Sequence, residues 1–343
     1  MNHKLTYLLL AISFLASSCN SDTSDETDLS RGGEVSFNVL NHTRASETAP
    51  FDQFVVYGDM KGKPLETSNT VVLFNKIQVK YDNGAWNYEG TQYWSPEHEH
   101  SFVAVYPESV LGTLNAPQYS NSKLSFLYSV PSTGSNSSTE GEVADILLAT
   151  HRRYFDNIGV ASTLDNKISF RFDHVMSMIN LSPSFSDNLL DDDCFIEFHS
   201  LEISEIDSKA RFDVTPAPRL SNNQTNDMVM GVTAQEKGSR SIVFTPSVKI
   251  NNHAGNINLF PTEKAIIMLP QTFTSDSKAA ITISFSINGE TTKKEVSIPL
   301  AGQTWESGKS YLYKFTIDRS GLISDKCEIN PWNEITGDKI TVD

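Results

Sequence analysis

Short apolar runs in which alternate residues are polar recur along the chain, while helical spacing is nearly absent. The first run sets Val35, Phe37 and Val39 against Glu34, Ser36 and Asn38, which predicts a half-buried strand with one apolar face. Leu40 extends its apolar character. The strand follows Gly32-Gly33 and gives way to polar His42-Thr43-Arg44, an exposed turn open to a trypsin-like protease. A strand that enters a fold first and ends beside a cleavable basic residue can be removed, leaving an apolar groove for another chain.

Further strands are predicted over 51–57, 70–81 and 101–107, with Asp82-Asn83-Gly84 a hairpin turn before Trp86 and Tyr88. Residues 143–150 fit either a short helix or a buried strand. A long strand covers 168–181, followed by strands at 195–198, 201–206, 210–214, 241–245, 265–270, 280–287 and 295–300. Asn288-Gly289 reads as a second hairpin turn, and residues 219–240 read as a long polar loop. Tyr311, Tyr313, Phe315 and Ile317 alternate along one strand face. The expectation is an all-β chain of two tandem antiparallel β-sandwich domains.

With 343 residues, each domain can bury a core, and 10% aromatic with 20% charged residues excludes disorder as the default. A formal charge of −15 argues against nucleic acid or an anionic lipid surface as partner. Lys4 and the apolar run 5–16 form a signal peptide too short to span a membrane. It closes on Leu15-Ala16-Ser17-Ser18-Cys19, which resembles a bacterial lipobox. Cleavage before Cys19 and lipidation of its sulfur are expected. The Ser/Thr-rich stretch after it, with Asp22, Asp25, Glu26 and Asp28, is a solvated leash. Cys194 and Cys327 remain, as a disulfide or as two free thiols.

Several stretches resemble one family in one order. They are Thr43-Arg44-Ala45 followed by FDQFVVYG at 51–58; Trp86-Asn87-Tyr88; Trp94-Ser95-Pro96; FVAVYP at 102–107; and DILLA at 145–149. Phe172, His174 and Ser177, then MLPQ at 268–271, the Trp305, Gly308, Lys309, Tyr311, Tyr313, Phe315 series and Pro331-Trp332 continue it. This order resembles the fimbrillin family of Bacteroidota, the subunits of type V pili. The resemblance implies transthyretin-like β-sandwiches in a surface lipoprotein of the outer membrane and fimbrium. It implies an arginine-specific protease that cuts after Arg44, with Arg31 the rival site. It also implies partner fimbrillin subunits whose strand replaces the lost one, in support of adhesion to a host protein or glycan. The expected division is 1–18 signal peptide, 19–31 tether, 32–163 first sandwich and 164–343 second sandwich with a tail strand.

Chemistry for an enzyme is missing from the sequence: there is no G-x-S-x-G elbow, H-E-x-x-H helix, phosphate loop or dinucleotide fingerprint. No enzyme, cofactor or metal is expected. Glu97-His98-Glu99-His100 offers two histidines without further ligands, and His174 is expected to be structural. Trp86, Tyr88 and Trp94 suit either core packing or, in a monomeric surface lipoprotein, a glycan platform. The eleven residues after Trp332 span roughly 36 Å when extended at about 3.3 Å each. With Ile340 and Val342 on one face and Ile335 a third anchor, they are a candidate donor strand, or the edge strand of their own sandwich.

Overall fold

The computed structural model describes residues 33–40, 51–62, 70–112, 117–135, 143–155, 167–186, 189, 194–218, 224–251, 258–260, 265–318 and 322–332. Among them the secondary structure is β-strand apart from 3-10 turns at Glu108–Leu111 and Leu189. The first eleven strands are β1 (Ser36–Val39), β2 (Gln53–Lys61), β3 (Thr70–Asp82), β4 (Ala85–Tyr88), β5 (Glu99–Tyr106), β6 (Gln118–Ser120), β7 (Lys123–Ser129), β8 (Thr133–Ser135), β9 (Leu147–Tyr154), β10 (Lys167–Phe170) and β11 (Asp173–His174). Eight of these form one path in the order β10-β1-β4-β3-β2-β5-β9-β11.

That sheet curls on itself. In a flat sheet β1 would stand three strands from β2, about 14 Å away at ~4.8 Å per strand. Yet the Phe37 ring on β1 lies 6.3 Å from Phe54 on β2 and 6.3 Å from Phe102 on β5. One half of the sheet therefore faces the other across an aromatic core. The bend falls in β3, where Lys76 takes a φ of 57° and pairing with β2 slips between Val56 and Gly58. Gly58 is needed there, because a Cβ would meet the Phe102 ring at 2.6 Å. On the outer side Val55, Tyr57, Val103, Val105 and Leu148 join a second core. Burial on both faces is why β2 and β5 read as unbroken apolar runs.

The remaining strands are β12 (Ser177–Phe185), β13 (Phe195–Pro216), β14 (Gln224–Thr225), β15 (Met228–Asn251), β16 (Ile266–Met268), β17 (Gln271–Thr272), β18 (Ala280–Ile287), β19 (Lys294–Pro299), β20 (Thr304–Trp305), β21 (Lys309–Ile317) and β22 (Leu322–Pro331). A four-stranded sheet runs β16-β12-β21-β22; a larger one runs β19-β18-β13-β15-β8. Ile179, Leu181, Tyr311 and Tyr313 of the first sheet share one core with Ile196, Phe198, Ile281 and Phe285 of the second. The all-β sandwich expectation holds, with β19 and β21 showing the period-2 alternation of strands that bury one face.

Of the two readings of residues 143–150 the strand holds, since they lead into β9. Two local expectations are corrected. The stretch 219–240 is not one loop, since it contains β14 and the start of β15. The runs at 195–198, 201–206 and 210–214 are one 22-residue strand, β13. Register shifts after Phe198, Ile203 and Asp207 interrupt its alternation, so the sequence reads as three pieces. Pairing also crosses the expected 163/164 division. β10 and β11 join the first sheet, and β14 pairs with β9. In the other direction β7 pairs with β13 and β8 with β15. β13 is the physical reason, because Ile196–Ser204 pairs with β18 while Lys209–Val214 pairs with β7.

Candidate functional site

The first strand sits in a seat of its own. β1 runs parallel to β10 from Ser36↔Lys167 to Val39↔Phe170, and meets β4 in register only at Phe37↔Trp86. Backbone bonds anchor its start: Val35 N–H donates to Gln92 O (2.8 Å) and Trp94 N–H to Gly33 O (3.0 Å). At its end Leu40 N–H donates to Phe170 O (2.8 Å). The Tyr88 hydroxyl donates to Val35 O (2.8 Å) and accepts from Gln92 N–H (3.1 Å). Burial raises the Tyr88 pKa above the ordinary phenol value, partly offset by that Gln92 bond.

Packing concentrates on one side chain. Phe37 stacks on Phe170 (5.6 Å, 12°) and meets Phe54, Phe74, Tyr88 and Phe102 edge to face. Val35 is fully buried, Phe37 is 4% exposed and Val39 is partly buried against the same core. Leu40 departs from its expected place in the groove: it is 45% exposed, because the residue after Val39 turns to the other side of the strand. Where β1 and β4 splay apart, a cleft of about 390 Å³ opens, lined by Glu34, Val35, Ser36, Trp86, Tyr88 and Lys167 among others. Such a seat holds an extended chain by backbone pairing and side-chain insertion.

The other predicted residues are placed as follows. Trp94 is 1% exposed and packs edge-on against His100, Phe102 and Phe155. Trp86 and Tyr88 are half-buried, Trp86 against Phe54 and Tyr81. Trp94 is thereby removed from the expected glycan platform, since a ring enclosed in the core has no face for a sugar. His98 Nδ1 is 2.7 Å from Pro96 O, and buried His100 accepts from Ser95 N–H through Nε2 (3.1 Å). Among the described residues no three His, Cys, Asp or Glu side chains converge as a metal would require. Cys194 and Cys327 are not joined in a disulfide. Cys19, Arg31, Arg44, Ile335, Ile340 and Val342 lie outside the described residues.

Sequence reasoning missed two partnerships. The alternation of Ile168, Phe170 and Phe172 marks a strand, but nothing local shows that it lies parallel to β1. His174 Nδ1 is 2.7 Å from the Asp145 carboxylate, and its ring stacks on Trp332 (4.3 Å, 16°). Asp145, Trp332 and His174 all belong to family-like stretches; their convergence fixes where the C-terminal tail departs, since Trp332 N–H also donates to Gly308 O (2.9 Å).

The fold is an all-β sandwich that holds a short first strand in an aromatic seat. Residues 43–332 match the fimbrillin-like family model, and the chain belongs to that family. Among solved structures it is similar to a fimbrial protein from Bacteroides vulgatus ATCC 8482, with 14% identity and a TM-score of 0.58 over 88% of this chain and 100% of that one. It is also similar to a putative cell adhesion protein from Bacteroides uniformis ATCC 8492, with 17% identity and a TM-score of 0.50 over 88% of this chain and 99% of that one. At such identity the likeness concerns the fold. No protein of curated function matches the sequence. Family membership makes this a fimbrial, cell-surface protein outside the enzyme families.

Proposed function

We propose that the chain is a pilus subunit, exported as a lipoprotein on Cys19 and assembled by exchange of its first strand. A protease cutting after Arg44 releases β1, and an extended strand from a neighbouring subunit enters the vacated seat. The observation that carries this reading is the seat itself: β1 lies between β10 and β4 and supplies Phe37 to the centre of the aromatic core. Its loss leaves two strand edges unpaired and the rings around Phe37 uncovered, a state that favours association. The family match begins at residue 43, so β1 lies outside it, which agrees with a separable segment.

The donor in this reading is the tail after Trp332, with Ile340 and Val342 filling the places of Phe37 and Val35 by β-augmentation and Ile335 a third anchor. Other fimbrillin subunits are the partners, and the lipid ties an unassembled or anchoring subunit to the outer membrane. The test is Arg44→Ala in cells that make fibres. Loss of processing and of polymer is expected; processing and polymerisation at the wild-type rate would show that another bond is cut. Deleting residues 334–343 separately tests the donor. A stable protein that no longer joins fibres supports the tail, whereas an unfolded one assigns the tail to its own sandwich.

A further inference from the structure

We infer that the open edge of β15 is a self-pairing edge, through which two copies of this chain join antiparallel about Val232. β13 pairs with β15 along one side, while on the other side β8 pairs only at Ser241, Ile242 and Val243. Ahead of that point, residues 228–235 have no backbone partner on the outer side among the described residues. The donor that reaches this stretch is the Gln235 side chain, bonded to the carbonyls of Thr233 (3.3 Å) and Ala234 (3.2 Å).

The edge lacks the usual protection. Its sequence, MVMGVTAQ, carries no charge and no proline, and Val229 is 51% exposed. Exposed edges in natural sheets are blunted by charge or proline against unwanted pairing. The other long edges of this protein follow that rule: β19 carries Lys294, Glu295 and Pro299, and β22 has Glu328 and Pro331. An uncharged edge in an acidic molecule suits pairing with a second copy, because a two-fold axis sets the stretch against itself and a stretch of one charge would repel its own copy.

Charge fixes the register. With core faces on the same side, Val232 opposite Val232 of the second copy sets Gly231 against Thr233 and Met230 against Ala234. The ends then place exposed Asp227 against exposed Lys237 twice, within one residue across the bulge at Gln235. Shifting the axis by one same-face step in either direction loses that match. Lys237 Nζ is 3.1 Å from Asp207 and Asp227 is 3.9 Å from Arg171, both with most of the side chain exposed. A cavity of about 330 Å³ beside Val232 and Ala234, walled by Asp207, Gln271 and Trp305, lies on the same face. The Met230 thioether of the second copy, opposite Ala234, has the length and pliancy to enter it.

The experiment uses the intact chain, uncut at Arg44, so that failure of this pairing and failure of strand exchange are distinguishable. Sedimentation velocity is expected to show a concentration-dependent dimer. Val232→Cys should give an oxidised dimer, whereas Thr233→Cys, displaced from its counterpart by about two residues, should not. Lys237→Glu should weaken the dimer at least roughly tenfold, and Asp227→Lys added to it should restore most of the affinity, since like charges become opposite ones. A chain that stays monomeric at all concentrations, or a double variant as weak as the single, overturns the proposal. So does a monomer whose edge instead binds a synthetic peptide of residues 333–343, which would make the tail its occupant.

Discussion

Phe37→Ala in the uncut chain isolates the role of the first strand. The ring is 4% exposed and touches five aromatic rings at 5.5 to 6.3 Å. Truncating a buried phenylalanine costs about 3–5 kcal/mol. The upper part of that range applies here, because neighbours drawn from β2, β3, β4, β5 and β10 cannot all collapse into one void. A loss of about 4 kcal/mol is a large share of the ~5–15 kcal/mol that holds an ordinary domain together. Urea unfolding should show it as a lower midpoint at unchanged slope. Fibres grown from the same variant should match wild-type fibres in stability, because the residue is gone from them. A loss below about 1 kcal/mol in the uncut chain would refute the seat as the holder of β1. Equal destabilisation of the fibre would refute its removal.

Acid should also weaken the fold. Burial lowers the His100 imidazole to about 3 and the His151 imidazole to about 4, against 6.5 in the ordinary case. Between those values and 6.5 the unfolded chain binds protons that the native chain does not, so stability falls as pH drops through that window. A melting temperature flat from pH 7 to 4 would contradict this. Asp59 is fully buried and accepts from the Ser122 N–H (2.6 Å) and hydroxyl (2.8 Å). Asp59→Ala should cost about 1–3 kcal/mol in thermal unfolding by stranding those donors, and an unchanged melt would show them satisfied otherwise. Trp332→Ala should destabilise the uncut chain by about 3 kcal/mol, and a neutral result would detach the His174 stack from the tail's exit.

Local pattern made much of the fold legible. The Asn83-Gly84 and Asn288-Gly289 turns both take positive φ at both residues, which is the hairpin geometry those pairs favour. The alternation of β1 identified Val35 and Phe37 as its buried side. What stayed hidden was non-local. The parallel union of β1 with β10 joins segments about 130 residues apart. Residues 228–240 of β15 escaped notice because an edge strand with a solvent-exposed stretch has no strong burial pattern, and bulges broke the rhythm of β13. Trp94 was ambiguous for the same reason that aromatics always are: a strand aromatic can face sugar or core, and only the curl of the sheet decides.

The most direct test of strand exchange is the N-terminal sequence of the subunit recovered from intact fibres. The account predicts a chain that begins at Ala45 and lacks Val35, Phe37 and Val39. Assembled subunits that begin at Cys19 or Gly32, with the Ser36–Val39 strand still in its seat, would contradict it.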